Sequence, residues 1–300
     1  MSAIQLDSVS KTYGNVKAVD SVSFTVPMGS IFGLLGPNGA GKTTTIRMLN
    51  GITMPDSGSI TILGEAQAPK HQDIIGYMPE ERGLYRKLTV NAQLEYLGAL
   101  KGLDKVTLKK NIAYWLERFE ITSWTKKKTS ELSKGMQQKL QFIVTLLHEP
   151  EILILDEPVS GLDPINAEII NNIILEEKKK GRTILLSSHR MEQVEQLCDD
   201  IAMIHQGKIV LSGTLRDVKK RYGKNFIKVN FSGTLPSEIE LASFPIRVAE
   251  KHNNELLFEL FDDTMNNDVL RKLAEQAEIT RWERIEPPLK EIFLEAVKQH

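Results

Sequence analysis

A short apolar run that leads directly into a glycine-rich turn is the feature that most restricts the fold of this chain. Residues 31–35 read Ile-Phe-Gly-Leu-Leu, which predicts a buried strand. Residues 36–43 read Gly-Pro-Asn-Gly-Ala-Gly-Lys-Thr and fill the pattern G-x-x-x-x-G-K-[ST]. A helix that begins near Gly41 would direct its positive end and the N–H groups of the turn toward an anion. Strand, turn and helix together predict a site for the phosphates of a nucleotide.

Individual residues of this pattern can be given roles. The candidate phosphate-binding residues are Gly36, Pro37, Asn38, Gly39, Ala40, Gly41, Lys42, Thr43 and Thr44. The Lys42 ammonium would reach the outer phosphates of ATP, and the Thr43 hydroxyl would hold Mg²⁺. A turn with a purely structural role is the alternative. Average composition yields the complete pattern by chance in roughly one chain per hundred of this length, so we favour nucleotide binding.

A second apolar run ends in two acidic residues. Residues 152–157 read Ile-Leu-Ile-Leu-Asp-Glu. A strand this apolar cannot end in two carboxylates unless water, a metal or a partner offsets the cost of desolvation. Beside a phosphate loop, Asp156 would hold Mg²⁺ and Glu157 would polarise a water molecule for attack on the terminal phosphate. A solvent-exposed strand end is the alternative.

Strand patterns and helical patterns alternate along most of the chain, which predicts an α/β domain with a mostly parallel central sheet. From about residue 89 to 148, apolar residues recur at helical spacing, and we interpret this segment as a helical insertion. In its first helix, Leu94, Leu97 and Leu100 share one face. A length of 300 residues with 41% hydrophobic content is enough for one large domain and a smaller one.

The strand pattern restarts after about residue 224. We expect strands at 226–231, 244–248, 256–260 and 279–285, a helix near 267–276 and a final helix after Pro288. The expected domains are therefore residues 1–222 and a small α+β domain at 223–300. A regulatory role, support of a dimer and a purely structural role all remain open for the second domain.

Composition and charge restrict the partners. A formal net charge of −1 argues against nucleic acid and against direct binding to an anionic membrane, so the lysine runs at 126–128 and 178–180 are interpreted as solvated. The single cysteine, Cys198, fits a reducing cytosol, and its apolar neighbours predict buried packing. The N-terminus lacks the apolar core of a signal peptide, and no stretch approaches the ~18 apolar residues that span a bilayer. We therefore expect a cytoplasmic protein that reaches a membrane through a partner.

The segment Ser133-Lys134-Gly135-Met136-Gln137-Gln138 opens the last helix of the insertion. Ser133 is a favourable N-cap and Gly135 exposes its backbone N–H, so the helix start is a second candidate anion site. Taken alone, this segment is an ordinary helix cap. Its position between the phosphate loop and the two acids favours a role in the nucleotide site.

The order of these motifs matches a known family. The phosphate loop, the helical insertion, Leu132 to Gln137, the acids at 156 and 157, Ser160-Gly161-Leu162-Asp163 and His189 follow one another along the chain. Over residues 1 to about 220 this order resembles the ATP-binding subunit of ABC transporters. The resemblance implies a P-loop NTPase core with an antiparallel β subdomain, ATP and Mg²⁺ as cofactors, and ATP hydrolysis. It also implies a head-to-tail dimer with a second copy or a homologous subunit, in which two ATP molecules lie at the interface.

The resemblance assigns further site residues by position. Ser133 and Gly135 would face the phosphate loop of the other subunit. Tyr13 would stack on adenine, although a lone tyrosine more often packs on the core. Asp163 would link the two sites across the dimer, and His189 would contact the γ-phosphate.

Two departures from the family pattern affect the site. The usual signature Leu-Ser-Gly-Gly-Gln carries Lys134 and Met136 at its third and fifth positions. Glu80 replaces the usual glutamine that touches Mg²⁺ and the attacking water, which makes Glu80 a candidate catalytic residue and metal ligand because carboxylates suit Mg²⁺. Its extra charge would weaken ATP binding unless a metal or a basic neighbour offsets it, and Arg82 is a candidate. A solvated loop acid is the alternative for Glu80.

The variant signature, Glu80 and the tail at 286–293 resemble exporter subunits of the ABC-2 type, which include bacterial sodium-extrusion and drug-resistance systems. Such subunits pair with a separately encoded membrane permease that selects the cargo and would hold this chain at the inner face of the membrane. A soluble ABC ATPase that acts on ribosomes or chromosomes is the alternative. Ribosome-acting members usually carry two ATPase cassettes, whereas this chain has the motifs of one. Chromosome-acting members insert long coiled coils, whereas the insertion here is short and without extended heptads. A small-molecule kinase would leave the segment at Ser133 unexplained.

Overall fold

The computed structural model describes residues 1–81, 83–222, 225–233 and 246–298. The chain divides into two compact units, Met1–Leu215 and Arg216–His300. The boundary near residue 222 expected from the sequence stays a prediction.

The first unit is built mainly from strands that alternate with helices. Its strands are β1 Ser2–Tyr13, β2 Val16–Pro27, β3 Ile31–Leu35, β4 Ser57–Ile62, β5 Glu65–Ala66, β6 Ile75–Met78, β7 Ile152–Asp156, β8 Thr183–Ser188, β9 Asp200–His205 and β10 Lys208–Thr214. Its helices are α1 Lys42–Leu49, α2 Val90–Leu100, α3 Lys105–Arg118, α4 Lys134–Leu146, α5 Pro164–Lys179 and α6 Met191–Leu197.

A six-stranded sheet in the order β10-β9-β3-β8-β7-β6 forms the centre of this unit. The five strands from β9 to β6 are parallel, and β10 is antiparallel to β9. Strands β3, β7 and β8 are buried along their whole length, as expected for parallel strands with both faces covered. The carboxyl ends of the parallel strands therefore meet at one edge, where ligands bind in open α/β sheets.

A second, antiparallel sheet runs in the order β2-β1-β4-β5. Its inner face packs with the central sheet and α1 in one apolar core, where Ile4, Val22, Leu34 and Ile46 are at most 1% exposed. The prediction of an α/β core with an antiparallel β subdomain is confirmed.

Helices α2, α3 and α4 lie where the sequence predicts a helical insertion. The expected apolar face of α2 is wrong in part, because Leu94 is fully buried but Leu100 is 64% exposed. The buried face passes through Leu94 and Gly98 instead. A Cβ at Gly98 would lie 2.3 Å from Leu108 Cδ1 of α3, so the missing side chain allows α3 to approach α2 at that point.

The second unit forms a small α+β layer. Its elements are α7 Leu215–Arg221, which begins at the last residue of the first unit, β11 Asn225–Ser232, β12 Ile246–His252, β13 Glu255–Leu260, α8 Asn266–Ala274, β14 Glu278–Ile285 and α9 Leu289–Lys298. The strands form an antiparallel sheet in the order β12-β13-β11-β14. Its core includes Val229, Phe258 and Leu273, each fully buried. Residues 244 and 245 of the predicted strand at 244–248 lie outside the described residues.

Candidate functional site

The phosphate loop joins β3 to α1 at the edge where the parallel strands end. Two of its glycines are required by close backbone contacts. A Cβ at Gly36 would lie 2.2 Å from the carbonyl oxygen of Ile204, and a Cβ at Gly41, whose φ is +111°, would lie 2.5 Å from that of Ala18. The loop can therefore pack against β2 and β9 only with glycine at these two positions.

A cavity of about 380 Å³ opens at this loop. Its walls are formed by Ala18, Asn38, Gly39, Gly41, Lys42, Thr43, Thr44, Glu80 and Glu157. Gly36 and Pro37 contribute through their carbonyl oxygens, which accept hydrogen bonds from Lys42, and Ala40 is buried behind the loop. The cavity combines the N-terminus of α1, a cation and two acids, which is the environment that a metal–triphosphate requires.

Lys42 is the buried cation of the cavity. Its side chain is 6% exposed, and its Nζ donates hydrogen bonds to Gly36 O at 2.7 Å and Pro37 O at 3.1 Å. The Nζ also lies 3.9 Å from Glu157 Oε1. Burial lowers the pKa of the Lys42 ammonium, while the charges of Glu157, Asp156 and Glu80 act in the opposite direction. The acids therefore help to keep Lys42 protonated where it would meet the phosphates.

The two acids expected at the end of β7 are both buried in the structure. Asp156 is fully buried and Glu157 is 6% exposed. Ser187 of β8 connects them, because its hydroxyl donates a hydrogen bond to Asp156 Oδ1 and accepts one from the backbone N–H of Glu157. Two carboxylates are thus held at the edge of a low-dielectric core, where each needs a cationic or hydrogen-bonding partner.

His189 follows β8 directly and contacts the second acid. Its Nδ1 lies 2.8 Å from Glu157 Oε1. An ionised carboxylate can only accept a hydrogen bond, so this contact assigns the proton to Nδ1 and orients the ring. The structure brings Lys42, Glu157 and His189 together, and the roles expected for them stay predictions.

The residues expected to hold Mg²⁺ fit that ion chemically. In the described part of the chain, Asp156 Oδ2 is a buried carboxylate oxygen without a hydrogen-bond partner, and Asp156 is not among the residues that form the cavity wall. Thr43 and Glu80 supply oxygen atoms at that wall. Among the described residues, no group of three or more His, Cys, Asp or Glu side chains is arranged to hold a metal ion. Mg²⁺ takes few protein ligands and completes its shell with water and phosphate oxygens, so a site of this composition suits it.

Glu80 reaches the cavity from the segment that follows β6. The residue is exposed, and its charge acts on Lys42. Gln141 of α4 anchors this segment, because its Nε2 donates hydrogen bonds to Pro79 O at 2.7 Å and Glu81 O at 3.4 Å. Arg82, the candidate basic neighbour, lies outside the described residues. The loop that carries Glu80 is therefore tied to the helical insertion.

The segment at Ser133 begins helix α4. The Ser133 hydroxyl caps the helix by accepting a hydrogen bond from Met136 N at 3.3 Å. A Cβ at Gly135 would lie 3.3 Å from Leu162 Cδ2, so this turn packs beside the loop that carries Asp163. In the part of the chain that the structure describes, neither Ser133 nor Gly135 lines the phosphate-loop cavity of its own subunit.

Asp163 and Tyr13 also lie away from the lining of that cavity in the described part of the chain. Asp163 caps helix α5, and the backbone N–H of Asn166 donates to its carboxylate at 3.0 Å and lowers the pKa of that carboxyl. Tyr13 ends β1 with 46% of its surface exposed, and Lys11 Nζ lies 5.8 Å from its ring centroid. Lys11 thus lies over the ring of a largely exposed aromatic residue, and stacking of Tyr13 on adenine stays a prediction.

Sequence reasoning missed three polar residues that position the site. Ser187 holds the two acids, and Gln141 holds the segment of Glu80. Gln138 of α4 is 2% exposed and donates hydrogen bonds to Glu157 O at 3.3 Å and Pro158 O at 3.0 Å. Polar residues inside otherwise apolar elements, such as the serines that end the buried strand β8, could have indicated these positions.

Comparison with known proteins identifies the family. Residues 19–160 match the ABC transporter family model, and residues 213–297 match the model described as ATP-binding protein DrrA1-3-like, C-terminal domain. The chain is 42% identical to the uncharacterized ABC transporter ATP-binding protein YhaQ of Bacillus subtilis (strain 168), over 98% of both chains. This chain therefore belongs to the ABC transporter ATP-binding proteins, and it is an ATP-binding ATPase subunit of that family.

Two further proteins are similar to this chain. The linearmycin resistance ATP-binding protein LnrL of Bacillus subtilis (strain 168) is 38% identical, with 77% of this chain and 75% of that protein covered. A solved structure of the ATP-binding subunit of an ABC transporter superposes with a TM-score of 0.69 at 31% identity, and covers 73% of this chain and 93% of its own. Among the described residues, no helix has both the length and the apolar character needed to cross a bilayer.

Proposed function

We propose that this chain is the ATP-hydrolysing subunit of an ABC-2 type exporter, which dimerises around two ATP molecules and drives a separately encoded permease. The observation that carries the proposal is the contact of Glu157 with His189 and its proximity to Lys42 in the wall of the phosphate-loop cavity. The resemblance of the second unit to DrrA-like C-terminal domains and the name of the relative LnrL support an export role.

In this proposal, each group at the cavity has a chemical task. A water oxygen attacks the γ-phosphorus of ATP, the bond from that phosphorus to the β,γ-bridging oxygen breaks, and ADP and inorganic phosphate leave. Glu157 accepts a proton from the water, His189 orients Glu157, and Lys42 balances charge on the outer phosphates. Thr43, Asp156 and Glu80 would hold Mg²⁺, which neutralises charge on the phosphate oxygens.

The exposed cap at Ser133 supports a composite site. The Ser133 hydroxyl and the N–H of Gly135 lie at the start of α4, and in the described part of the chain neither residue lines the cavity of its own subunit. In a head-to-tail dimer, these donors would reach the ATP of the partner, and Tyr13 and Asp163 would complete the two sites. We further propose that the permease holds the dimer at the cytoplasmic face of the membrane.

The test is the variant Glu157→Gln. An amide cannot accept the proton from the attacking water, so ATP binding should persist while turnover stops and a dimer accumulates. Light scattering after gel filtration, with and without ATP and Mg²⁺, measures the dimer. The control is Glu151→Gln, which changes an exposed acid just before the same strand and should keep wild-type turnover. A variant that stays monomeric with ATP and Mg²⁺, beside a wild type that hydrolyses normally, would contradict the composite site.

A further inference from the structure

The hydroxyl of Ser187 lies between the two acids of the site. Strands β7 and β8 are parallel neighbours, and Asp156 is paired with Ser187 in their register. Ser187 is fully buried, and its Oγ lies 2.5 Å from Asp156 Oδ1 and 3.0 Å from Glu157 N. The hydroxyl can donate only one hydrogen, which goes to the carboxylate, and it accepts the backbone N–H.

The hydrogen bond from Ser187 orients the carboxylate of Asp156. Its carboxylate is fully buried, and among the described residues Oδ1 has a hydrogen-bond partner whereas Oδ2 has none. A hydrogen bond to one oxygen of a carboxylate fixes the rotation of the group and therefore the position of the other oxygen. Ser187 thus decides which oxygen of Asp156 remains for a ligand.

Ser187 also holds the backbone of Glu157. This residue has a φ of +52°, a left-handed conformation that is unfavourable for a residue with a side chain. Its N–H is held by Ser187, and its Oε1 is held by His189, two residues further along the chain. The end of β8 therefore positions both the peptide and the carboxylate of Glu157.

We propose that Ser187 is a positioning residue for ATP hydrolysis, which presents Asp156 Oδ2 to Mg²⁺ and holds the turn that places Glu157. The inference rests on the proposed role of Asp156 in the metal site. Hydrogen-bonding partners of metal ligands fix the geometry of those ligands, and their loss typically weakens metal binding by about 10- to 100-fold. A hydroxyl that served only to satisfy buried polar groups would affect stability and leave the response to Mg²⁺ unchanged.

The experiment compares Ser187→Ala, which removes the hydroxyl, with Ser187→Thr, which keeps it. Thr183→Val is the matched control, because it removes a buried hydroxyl that accepts Gly29 N at the other end of the same strand. Binding of a fluorescent, non-hydrolysable ATP analogue is measured in EDTA and across a Mg²⁺ titration, together with the thermal midpoint of each variant.

For Ser187→Ala, we expect analogue affinity in EDTA to match wild type, while the Mg²⁺ concentration at half-maximal effect rises about 10- to 100-fold. Ser187→Thr should restore the wild-type response, and Thr183→Val should keep it. A Ser187→Ala variant with a lower thermal midpoint but an unchanged Mg²⁺ response overturns the inference. If Ser187→Thr does not fold, the comparison of Ser187→Ala with Thr183→Val still tests whether Ser187 affects the Mg²⁺ response.

Asp156→Asn separates this inference from the proposal on which it rests. If Asp156→Asn shifts the Mg²⁺ response and Ser187→Ala does not, the role of Ser187 is wrong and the metal site stands. If Asp156→Asn leaves the Mg²⁺ response unchanged, the proposed metal site itself is wrong, and the inference fails with it.

Discussion

At the scale of single residues, the charged side chains of this site differ in how far they are buried at the cavity wall. Lys42 and Glu157 are each 6% exposed, and their charged atoms lie 3.9 Å apart. Glu80, by contrast, is exposed at the rim of the same cavity. Electrostatic effects are larger for desolvated groups than for exposed ones, so substitutions at these positions should differ in size and in kind.

Lys42→Ala should abolish tight ATP binding. The substitution removes the point charge that would pair with the outer phosphates, and truncation of one partner in a desolvated charge pair costs roughly 2–5 kcal/mol. Calorimetric titration with ATP and Mg²⁺ measures the loss. The control is Lys208→Ala, which removes an exposed lysine that pairs with Asp20. An unchanged ATP affinity for Lys42→Ala would contradict the assignment of the phosphate loop.

Glu80 gives the test most specific to this sequence. Glu80→Gln keeps one oxygen ligand and removes a charge, so we expect retained ATPase activity with a weaker dependence on Mg²⁺ concentration. Glu80→Ala loses the ligand as well and should lower turnover with little change in ATP affinity. Steady-state ATPase rates across a Mg²⁺ titration distinguish the two variants.

Glu81→Gln is the control for the Glu80 variants, since it removes a neighbouring exposed charge from the same segment. If Glu80→Gln and Glu80→Ala both match wild type in hydrolysis and in permease-coupled transport, Glu80 is a solvated loop acid with no role in catalysis.

At the scale of elements, helix α4 links the parts of the site. Ser133 caps its start, Gln138 holds the backbone after β7, and Gln141 holds the segment after β6. These three residues lie on one continuous helix, so a movement of α4 would act on the acid at β7 and on Glu80 together. Hydrogen bonds of α4 thus connect the helical insertion to the edge of the sheet that carries the acids.

Gln138→Ala should lower the free energy of unfolding by about 1–3 kcal/mol. The substitution leaves the carbonyl oxygen of Pro158 without its buried donor, whereas Glu157 O keeps a hydrogen bond from the backbone N–H of Ser160. An unsatisfied buried polar group carries a cost of this size. Urea unfolding measures the change. Lys134→Ala, an exposed position at the start of the same helix, should have little effect. A urea midpoint for Gln138→Ala equal to that of wild type would show that the link does not contribute to stability.

At the scale of the whole molecule, buried ionisable groups couple stability to pH. His148 follows α4, and its Nε2 lies 3.1 Å from Ile75 O. Burial lowers the pKa of His148 from 6.5 to about 4, and the nearby charges of Lys101 and Arg182 act in the same direction. The folded chain therefore keeps His148 neutral under conditions where the unfolded chain takes up a proton.

Stability should accordingly fall as the pH drops from about 6.5 to about 4. Within this window the unfolded state binds the extra proton, so His148 alone contributes a loss of up to about 3 kcal/mol. Urea unfolding at about pH 7.5, 6, 5 and 4 measures how the free energy of unfolding changes with pH. His148→Gln should flatten the slope, and His252→Gln, an exposed histidine, is the control. Equal slopes for His148→Gln and wild type would contradict this origin.

The sequence by itself determined the parts of this protein whose signal is local. The strand, the glycine-rich turn and the start of α1 lie within residues 31–43, and the two acids end one apolar strand, so backbone geometry and burial follow from neighbouring residues.

The tertiary structure alone decided the contacts of Ser187, which lies 31 positions from Asp156, and of Gln141, which lies 62 positions from Pro79. It also decided which face of α2 is buried, since Leu108 of another helix packs closely against Gly98. Such contacts depend on strand order and helix packing, and apolar periodicity does not specify which elements become neighbours.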